Sequence, residues 1–313
     1  MSRAVVFPGQ GSQAVGMGRE VAKAFATARE VFEEIDEALG QNLSRLMFEG
    51  PDDELILTEN AQPAIMAVSL AVMRVLSVDG GFDLASSAAF VAGHSLGEYS
   101  ALSAAGSFGL ADTARLLKTR GRAMQDAGPV GEGAMAALIG LDLDVVQAVA
   151  DEAAAGEVCT AANDNAPGQV VVSGSVGAVG RAMEIAKAKG AKRAILLPVS
   201  APFHCALLAP AADVMAEALA GVSMKPPKVP LVANVSAGPV TDPEEIRRLL
   251  VEQVTGMVRW RECVLTMRRE GVDTVVEVGG GKVLSGLNRR IDADLGVLSV
   301  GTPETIEEFL NGL

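Results

Sequence analysis

Short, almost uninterrupted apolar runs alternate along this chain with segments of amphipathic, helical periodicity. Four of the runs have the length of a strand and span residues 4–7, 88–92, 229–232 and 274–278. A strand that is apolar at nearly every position has to be covered on both faces, as parallel strands are when helices lie on either side of their sheet. The sequence therefore predicts the α/β class.

A second, smaller unit is expected between two breaks rich in glycine and proline, at 128–133 and 198–202. The pattern between them reads strand (134–141), helix (144–155), strand (157–162), turn (163–168), strand (169–173), helix (176–189) and strand (193–199). This is the βαββαβ order of a ferredoxin-like unit. We therefore expect a discontinuous large domain of residues 1–129 and 199–313 and an inserted ferredoxin-like subdomain of residues 130–198.

Charge, cysteine usage and apolar length exclude several classes of protein. The 313 residues carry 39 acidic and 26 basic side chains, a formal net charge of −13, so a nucleic-acid partner is not expected. Three widely spaced cysteines without CxxC spacing indicate neither a disulfide framework nor a zinc site. The start lacks a signal-peptide pattern, and the longest apolar stretch, 60–73, is too short and interrupted to span a bilayer. We expect a soluble cytoplasmic protein.

The glycine-rich segments do not match a nucleotide-binding motif. Residues 279–282 lack the spacing and the following Ser or Thr of a P-loop, and residues 9–18 lack the context of a dinucleotide-binding fingerprint. No cofactor and no metal are expected.

The pentapeptide of residues 93–97, GHSLG, follows an apolar strand and opens a helical segment. Glycines on both sides allow the sharp strand-to-helix turn of a nucleophile elbow, in which the serine side chain is pushed outward. The helix N-terminus beside Ser95 adds amide donors for a developing oxyanion. The alternative interpretation is a glycine-rich turn that only packs or holds a phosphate.

A serine nucleophile needs a base, and the chain has two histidines. His94 sits inside the elbow, where proton abstraction from Ser95 is awkward. His204 lies 109 residues beyond Ser95, just after the insert, and is the predicted base; the alternative is a packing histidine. No carboxylate stands out as the third member of a catalytic triad with Ser95 and His204. His204 also does not come late in the chain, as the histidine of ordinary α/β-hydrolases does, and this argues against a plain esterase.

Arg120 is conspicuous on the predicted helix 112–125. At about 100° per residue, its side chain falls between Leu116 and Met124 on the apolar stripe, with no acidic residue on that stripe. A guanidinium on a buried face is costly unless an anion meets it. Either a distant Asp or Glu or the carboxylate of a substrate would be its partner.

Several motifs together resemble the malonyl-CoA:acyl carrier protein transacylase family of bacterial fatty-acid synthesis. They are FPGQGSQ at 7–13, GHSLGEYSAL at 93–102, TRG at 119–121, NAPGQVVVSG at 165–174, APFH at 201–204 and GGGKVLSGL at 279–287. The resemblance runs from end to end. It implies an α/β-hydrolase-like large domain with an inserted ferredoxin-like subdomain, in agreement with the insert inferred above.

The resemblance also implies a reaction and a set of site residues. Ser95, deprotonated by His204, would take the malonyl group from malonyl-CoA, and the phosphopantetheine thiol of acyl carrier protein would then accept it. The family places oxyanion donors at the backbone amides of Gln10 and Leu96. It orients the histidine by a main-chain carbonyl, matched here to Gln253, which would account for the missing acid.

The remaining implications concern binding and assembly. Arg120 matches the malonyl-binding arginine of the family, and Asn165 lies in a family motif on the subdomain side of the cleft. Malonyl-CoA and acyl carrier protein are the expected partners of a monomeric enzyme. A basic patch would receive the carrier, with candidates at Lys187, Lys189, Lys192, Arg193, Lys282, Arg289 and Arg290. A serine thioesterase or hydrolase and a non-catalytic acyl-binding scaffold remain the alternatives.

Overall fold

The computed structural model describes residues 2–128, 131–199 and 201–313. The strands are β1 Arg3–Phe7, β2 Phe90–Gly93, β3 Gly133–Ile139, β4 Cys159–Ala166, β5 Gln169–Ser175, β6 Arg193–Leu196, β7 Leu231–Val232, β8 Pro239–Val240, β9 Thr274–Val278 and β10 Gly296–Val300.

Helices form most of the remaining structure. They are α1 Arg19–Ala24, α2 Ala26–Leu39, α3 Leu43–Glu49, α4 Asp52–Leu55, α5 Thr58–Arg74, α6 Leu84–Ser87, α7 Gly97–Ala104, α8 Leu110–Asp126, α9 Leu143–Ala154, α10 Val176–Ala188, α11 Ala209–Ala220, α12 Pro243–Thr255, α13 Trp260–Arg269, α14 Val283–Ile291 and α15 Pro303–Asn311.

The larger sheet has the strand order β10-β9-β1-β2-β7-β8. Its first five strands are parallel, and β8 pairs antiparallel with β7 at one edge. The four apolar runs therefore supply the centre of this sheet, and the predicted α/β class is confirmed.

Both faces of the larger sheet are covered, as the apolar runs require. Along β1, Val5 and Phe7 belong to a core formed with α2, α5, α7, α8 and α11, whereas Ala4 and Val6 belong to a second core formed with α13 and α14. Successive side chains of a strand point to opposite faces, so a single run of four apolar residues serves two cores.

The smaller sheet has the order β4-β5-β3-β6 and is antiparallel throughout. Helices α9 and α10 pack on it around a core of their own, which includes Leu138, Val149 and Val179. The predicted order of elements in the insert is therefore present in the structure.

The outer edge of β4 attaches the smaller sheet to the larger unit. The Asp164 N–H donates to the Val258 carbonyl at 2.9 Å, and the Val258 N–H donates to the Ala162 carbonyl at 2.9 Å. The buried Asp164 carboxylate also pairs with Arg261 Nε at 2.9 Å. These contacts fix the position of β4 on the larger unit.

One prediction of local structure needs correction, and two strands lie outside the predicted set. The turn predicted at 163–168 is shorter, because β4 continues to Ala166 through two irregularities in its pairing with β5 and uses its polar residues to bind the 258–261 segment. Strands β8 and β10 were not predicted, because β8 has two residues and β10 alternates between exposed and partly buried positions.

The apolar stretch at 60–73 lies within a longer apolar helix. Helix α5 continues through a π-helical turn at Val75–Asp79, and the combined 22 residues are long and apolar enough to cross a membrane. The prediction that this stretch is too short to span a bilayer is therefore wrong. Most of this helix is buried among α2, α7 and α8, as a core helix is.

Candidate active site

Three neighbouring parallel strands, β1, β2 and β7, bring their following loops to one edge of the larger sheet. Phe7, the last residue of β1, is in register with Gly93, the last residue of β2. The loops that leave this edge carry Gln10, Ser95 and Asn234. Residues from three distant parts of the chain therefore meet at the carboxyl ends of adjacent strands, where α/β sheets commonly bind ligands.

The turn after β2 is as sharp as the motif predicts. Ser95 adopts a positive φ of 53°, which is unfavourable for a residue with a side chain. A Cβ atom at Gly93 would lie 1.9 Å from the carbonyl carbon of Gly97, and one at Gly97 would lie 2.3 Å from the Phe7 oxygen. Only glycine fits at both positions, and the elbow is consequently held against β1 with the serine side chain turned outward.

Asn234 binds the elbow from the side of β7. Its Oδ1 accepts the Ser95 N–H at 2.8 Å, and its Nδ2 donates to the Gly93 carbonyl at 2.7 Å. Its own N–H donates to Glu98 Oε1 at 2.6 Å. These bonds hold Ser95 in its strained conformation.

His204 is placed to act on Ser95. The distance from Ser95 Oγ to His204 Nε2 is 2.8 Å, and His204 Nδ1 lies 2.8 Å from the Gln253 carbonyl oxygen. A carbonyl can only accept, so Nδ1 carries the proton and Nε2 is free to accept the serine proton. His204 is buried and also has a positive φ, of 60°.

Burial lowers the pKa of His204 to about 3, with a further contribution from the nearby Arg120 charge. The imidazole is therefore neutral in the resting site, as a base must be before it accepts a proton.

Arg120 reaches the same serine from helix α8. Its Nη2 donates to Ser95 Oγ at 3.1 Å and to Gln253 Oε1 at 2.8 Å, and its Nη1 donates to Gln62 Oε1 at 2.8 Å. The guanidinium lies 5.6 Å from the centre of the Tyr99 ring and is 1% exposed. Its Nε is buried without a partner among the described residues. Three of the five N–H donors of this planar group are therefore engaged, one of them on the nucleophile.

Glu98 is a buried carboxyl group that the sequence analysis did not select. One oxygen accepts the Asn234 N–H, and the other accepts from Gln253 Nε2. Burial raises the pKa of Glu98 to about 8, while these two donors and Arg120 favour its charged form. Because both oxygens face N–H donors, the geometry is that of the carboxylate.

Two main-chain amides beside the nucleophile are free. The N–H groups of Gln10 and Leu96 have no hydrogen-bond acceptor in the part of the chain that the structure describes. Leu96 directly follows Ser95 at the start of helix α7, and Gln10 lies in the neighbouring loop after β1. Unpaired donors at this place can receive an oxyanion.

The insert reaches the site through β4. Asn165 Oδ1 lies 2.8 Å from His94 Nε2, so the histidine of the elbow contacts the insert and not the Ser95 hydroxyl. Asn165 is half-buried and lies beside the elbow.

The predicted site residues divide into two groups. Ser95, His204, Arg120 and Gln253 are in direct contact, whereas Gln10, Leu96 and Asn165 border this cluster. Sequence reasoning missed Gln62, Glu98 and Asn234. The position of Asn234 directly after an apolar strand was a usable signal, since polar residues at strand ends tend to collect at one sheet edge.

A serine with a neutral base, a free pair of amides and a buried cation can form and stabilise an acyl ester of an anionic acyl group. Within 2–128, 131–199 and 201–313, no group of three or more His, Cys, Asp or Glu side chains could hold a metal ion.

We expect His204 of the folded protein to stay neutral between about pH 5 and 7.5, because burial lowers its pKa to about 3. Burial lowers the pKa of His94 as well as that of His204. The unfolded chain binds protons at both rings below about pH 6.5, so the free energy of unfolding should decrease as the pH falls through this range. Imidazole ¹⁵N chemical shifts recorded against pH test this; a folded-state midpoint near 6.5 for His204 would contradict it.

The chain is similar to known acyltransferases over its whole length. The family model of the acyl transferase domain matches residues 4–286. The malonyl CoA-acyl carrier protein transacylase of Escherichia coli (strain K12) is 46% identical over 307 residues, which cover 98% of each chain.

Solved structures show the same similarity. An acyl-carrier-protein S-malonyltransferase from Bartonella henselae is 57% identical, covers 100% of this chain and 99% of its own, and superimposes with a TM-score of 0.97. A malonyl-transacylase in complex with a type II PKS acyl-carrier protein is 42% identical with a TM-score of 0.97, at 100% coverage of both chains. The chain therefore belongs to the acyl transferase domain family.

Proposed function

We propose that this protein transfers the malonyl group from malonyl-CoA to the phosphopantetheine thiol of acyl carrier protein, through a malonyl ester of Ser95, and so supplies fatty-acid elongation. The observation that carries the proposal is the contact of one serine hydroxyl with both a neutral histidine and a buried arginine. The names of the relatives at 46% and 57% identity agree with it.

The first half-reaction uses the geometry around Ser95. His204 Nε2 takes the hydroxyl proton while Oγ attacks the thioester carbon of malonyl-CoA. The oxyanion that forms is received by the amides of Gln10 and Leu96. When the carbon–sulfur bond breaks, the proton passes from His204 to the departing thiolate, and CoA leaves as the free thiol.

The second half-reaction runs through the same groups in reverse. The phosphopantetheine thiol gives its proton to His204 and attacks the Ser95 ester. The carbon–oxygen bond breaks, Oγ regains the proton, and the malonyl thioester of the carrier leaves. No cofactor and no metal are needed, because the chain supplies the nucleophile, the base and the oxyanion donors.

The Gln253 carbonyl takes the place that an aspartate has in a Ser-His-Asp triad. It accepts the Nδ1–H bond, fixes the tautomer and orients the ring. A neutral carbonyl stabilises the imidazolium less than a carboxylate does.

Arg120 and Asn165 are proposed as substrate-binding residues. The guanidinium of Arg120, whose Nη2 contacts Ser95 Oγ, can meet the malonyl carboxylate at the nucleophile. Asn165 presents a side-chain amide beside the elbow, in contact with His94.

We propose an α/β-hydrolase-like domain of residues 1–129 and 199–313 that carries a ferredoxin-like subdomain of residues 130–198. The antiparallel order β4-β5-β3-β6 with its two helices supports the subdomain. The boundary at 129–130 falls outside the described residues.

The acidic carrier would dock on a basic surface at the junction of the two sheets. Lys187 and Lys189 are poor candidates because they pair with Glu184 and Glu152. Arg193 and Arg290 are better candidates because they come to the same part of the smaller sheet. Arg193 is in register with Ile139, Ile139 is in register with Gln169, and Arg290 donates to the Gln169 side chain.

We also propose that the protein acts as a monomer in the cytoplasm. The contacts of Ser95 with His204 and Arg120 form within a single chain, so the proposed mechanism needs no second subunit. The cysteines are all free and buried, which supports a reducing, cytoplasmic location.

Incubation with malonyl-CoA in the absence of carrier should give a protein heavier by one malonyl group at Ser95. Addition of phosphopantetheinylated carrier should discharge it. Intact-mass and peptide mass spectrometry detect both steps, and Ser95→Ala is the control without the nucleophile. Continuous release of free malonate without carrier would identify a hydrolase instead, and the absence of any adduct would indicate a binding scaffold.

Replacement of Arg120 by Ala should lower kcat/KM for malonyl-CoA by about a hundredfold, while that for acetyl-CoA changes by less than about threefold. The arginine attracts the malonyl carboxylate, and it is left desolvated and unpaired when acetyl-CoA binds. Arg120→Lys should recover part of the malonyl activity, because a point charge cannot form the bidentate pair.

Arg122→Ala is the matched control for this experiment. Arg122 lies on the same helix, exposed and paired with Glu59. The Arg122→Ala substitution should leave kcat/KM for malonyl-CoA and for acetyl-CoA unchanged. Equal losses for the two thioesters in Arg120→Ala, at an unchanged melting temperature, would show that Arg120 does not select the substrate.

A further inference from the structure

Gln253 has more contacts in the site than the mechanism uses. Its main-chain oxygen holds His204, while its side-chain amide lies between two charged groups. Oε1 accepts from Arg120 at 2.8 Å, and Nε2 donates to Glu98 and, at 3.0 Å, to the Ser95 carbonyl. The orientation of this amide is therefore fixed by a cation on one side and an acid on the other.

No direct ion pair joins Arg120 to a carboxylate among the described residues. The connection between Arg120 and the buried Glu98 runs through the Gln253 amide. A distant acid therefore accompanies Arg120, but only through the side chain of Gln253.

We infer that Glu98 is a positioning residue for substrate selection, which aims the Arg120 guanidinium at the malonyl carboxylate by fixing the orientation of the Gln253 amide. The inference rests on the proposed malonyl transfer. It gives a role to a buried carboxylate that touches neither the reacting atoms nor the base.

The consequence of replacing one acceptor oxygen of Glu98 by a donor can be followed bond by bond. In Glu98→Gln, one oxygen remains and takes the fixed main-chain N–H of Asn234. The new NH₂ group then faces Gln253 Nε2, so that two donors meet. Rotation of the Gln253 amide relieves this conflict but presents its NH₂ to Arg120, which loses its acceptor. The His204 bond is unaffected because it uses the main-chain carbonyl of helix α12.

The expected result is therefore a change in selectivity. Glu98→Gln should lower the ratio of kcat/KM for malonyl-CoA to that for acetyl-CoA by about tenfold. Gln253→Met keeps the main-chain carbonyl and removes the side-chain amide, so it should shift the ratio in the same direction. This variant replaces Glu98→Gln in the experiment if Glu98→Gln does not fold. In an Arg120→Ala background, Glu98→Gln should leave the ratio unchanged, since both act on one interaction.

Glu277→Gln is the matched control. Glu277 is equally buried and also accepts two N–H bonds, from Leu284 at 3.0 Å and Ser285 at 2.7 Å, but it contacts neither Arg120 nor Gln253. It should reduce the melting temperature without changing the ratio.

An unchanged ratio in Glu98→Gln, or a ratio that still shifts in the Arg120→Ala background, would overturn the inference. These outcomes leave malonyl transfer by the unmodified enzyme intact. Failure of the unmodified enzyme to transfer malonyl would instead overturn the proposed function.

Discussion

The bonds made by Gln253 are the interaction on which the site depends. One residue near the end of helix α12 orients the base with its main chain and holds the arginine and the elbow with its side chain. Each of these groups is buried, and a buried polar group without a partner is costly. The network pairs most of these groups internally, and among the described residues it leaves the Arg120 Nε–H and the main-chain amides of Gln10 and Leu96 without a partner.

Strain is concentrated at the two residues that would exchange the proton. Ser95 and His204 both have positive φ, and few other non-glycine residues in the described chain share this conformation. Such conformations persist only where the surroundings fix them strongly. Asn234 and the close approach of Gly97 to β1 do so for Ser95. The Gln253 carbonyl holds the ring of His204. The contacts at this sheet edge thus offset the backbone strain and hold the nucleophile and the base in contact.

The features that local patterns determine could be predicted from the sequence. The elbow follows from a strand, two glycines and a helix start. The burial of Arg120 followed from its position on one helix. The partners of these residues could not be predicted, because they come from elsewhere in the chain: Asn234 lies 139 residues from Ser95, and Gln253 lies 155 residues from Glu98. The sequence predicts a turn at the polar residues of β4 for the same reason, because their partners lie far away in the chain, at 258–261.

Ser95 and His204 should act as one catalytic unit. This can be tested by measuring kcat/KM for malonyl transfer in Ser95→Ala, in His204→Ala and in the double variant, with the melting temperature of each as a control. Each single substitution should abolish nearly all transfer, and the double variant should be hardly slower than either, because the nucleophile and the base function only together. Losses that add in the double variant would show that Ser95 is served by a different base.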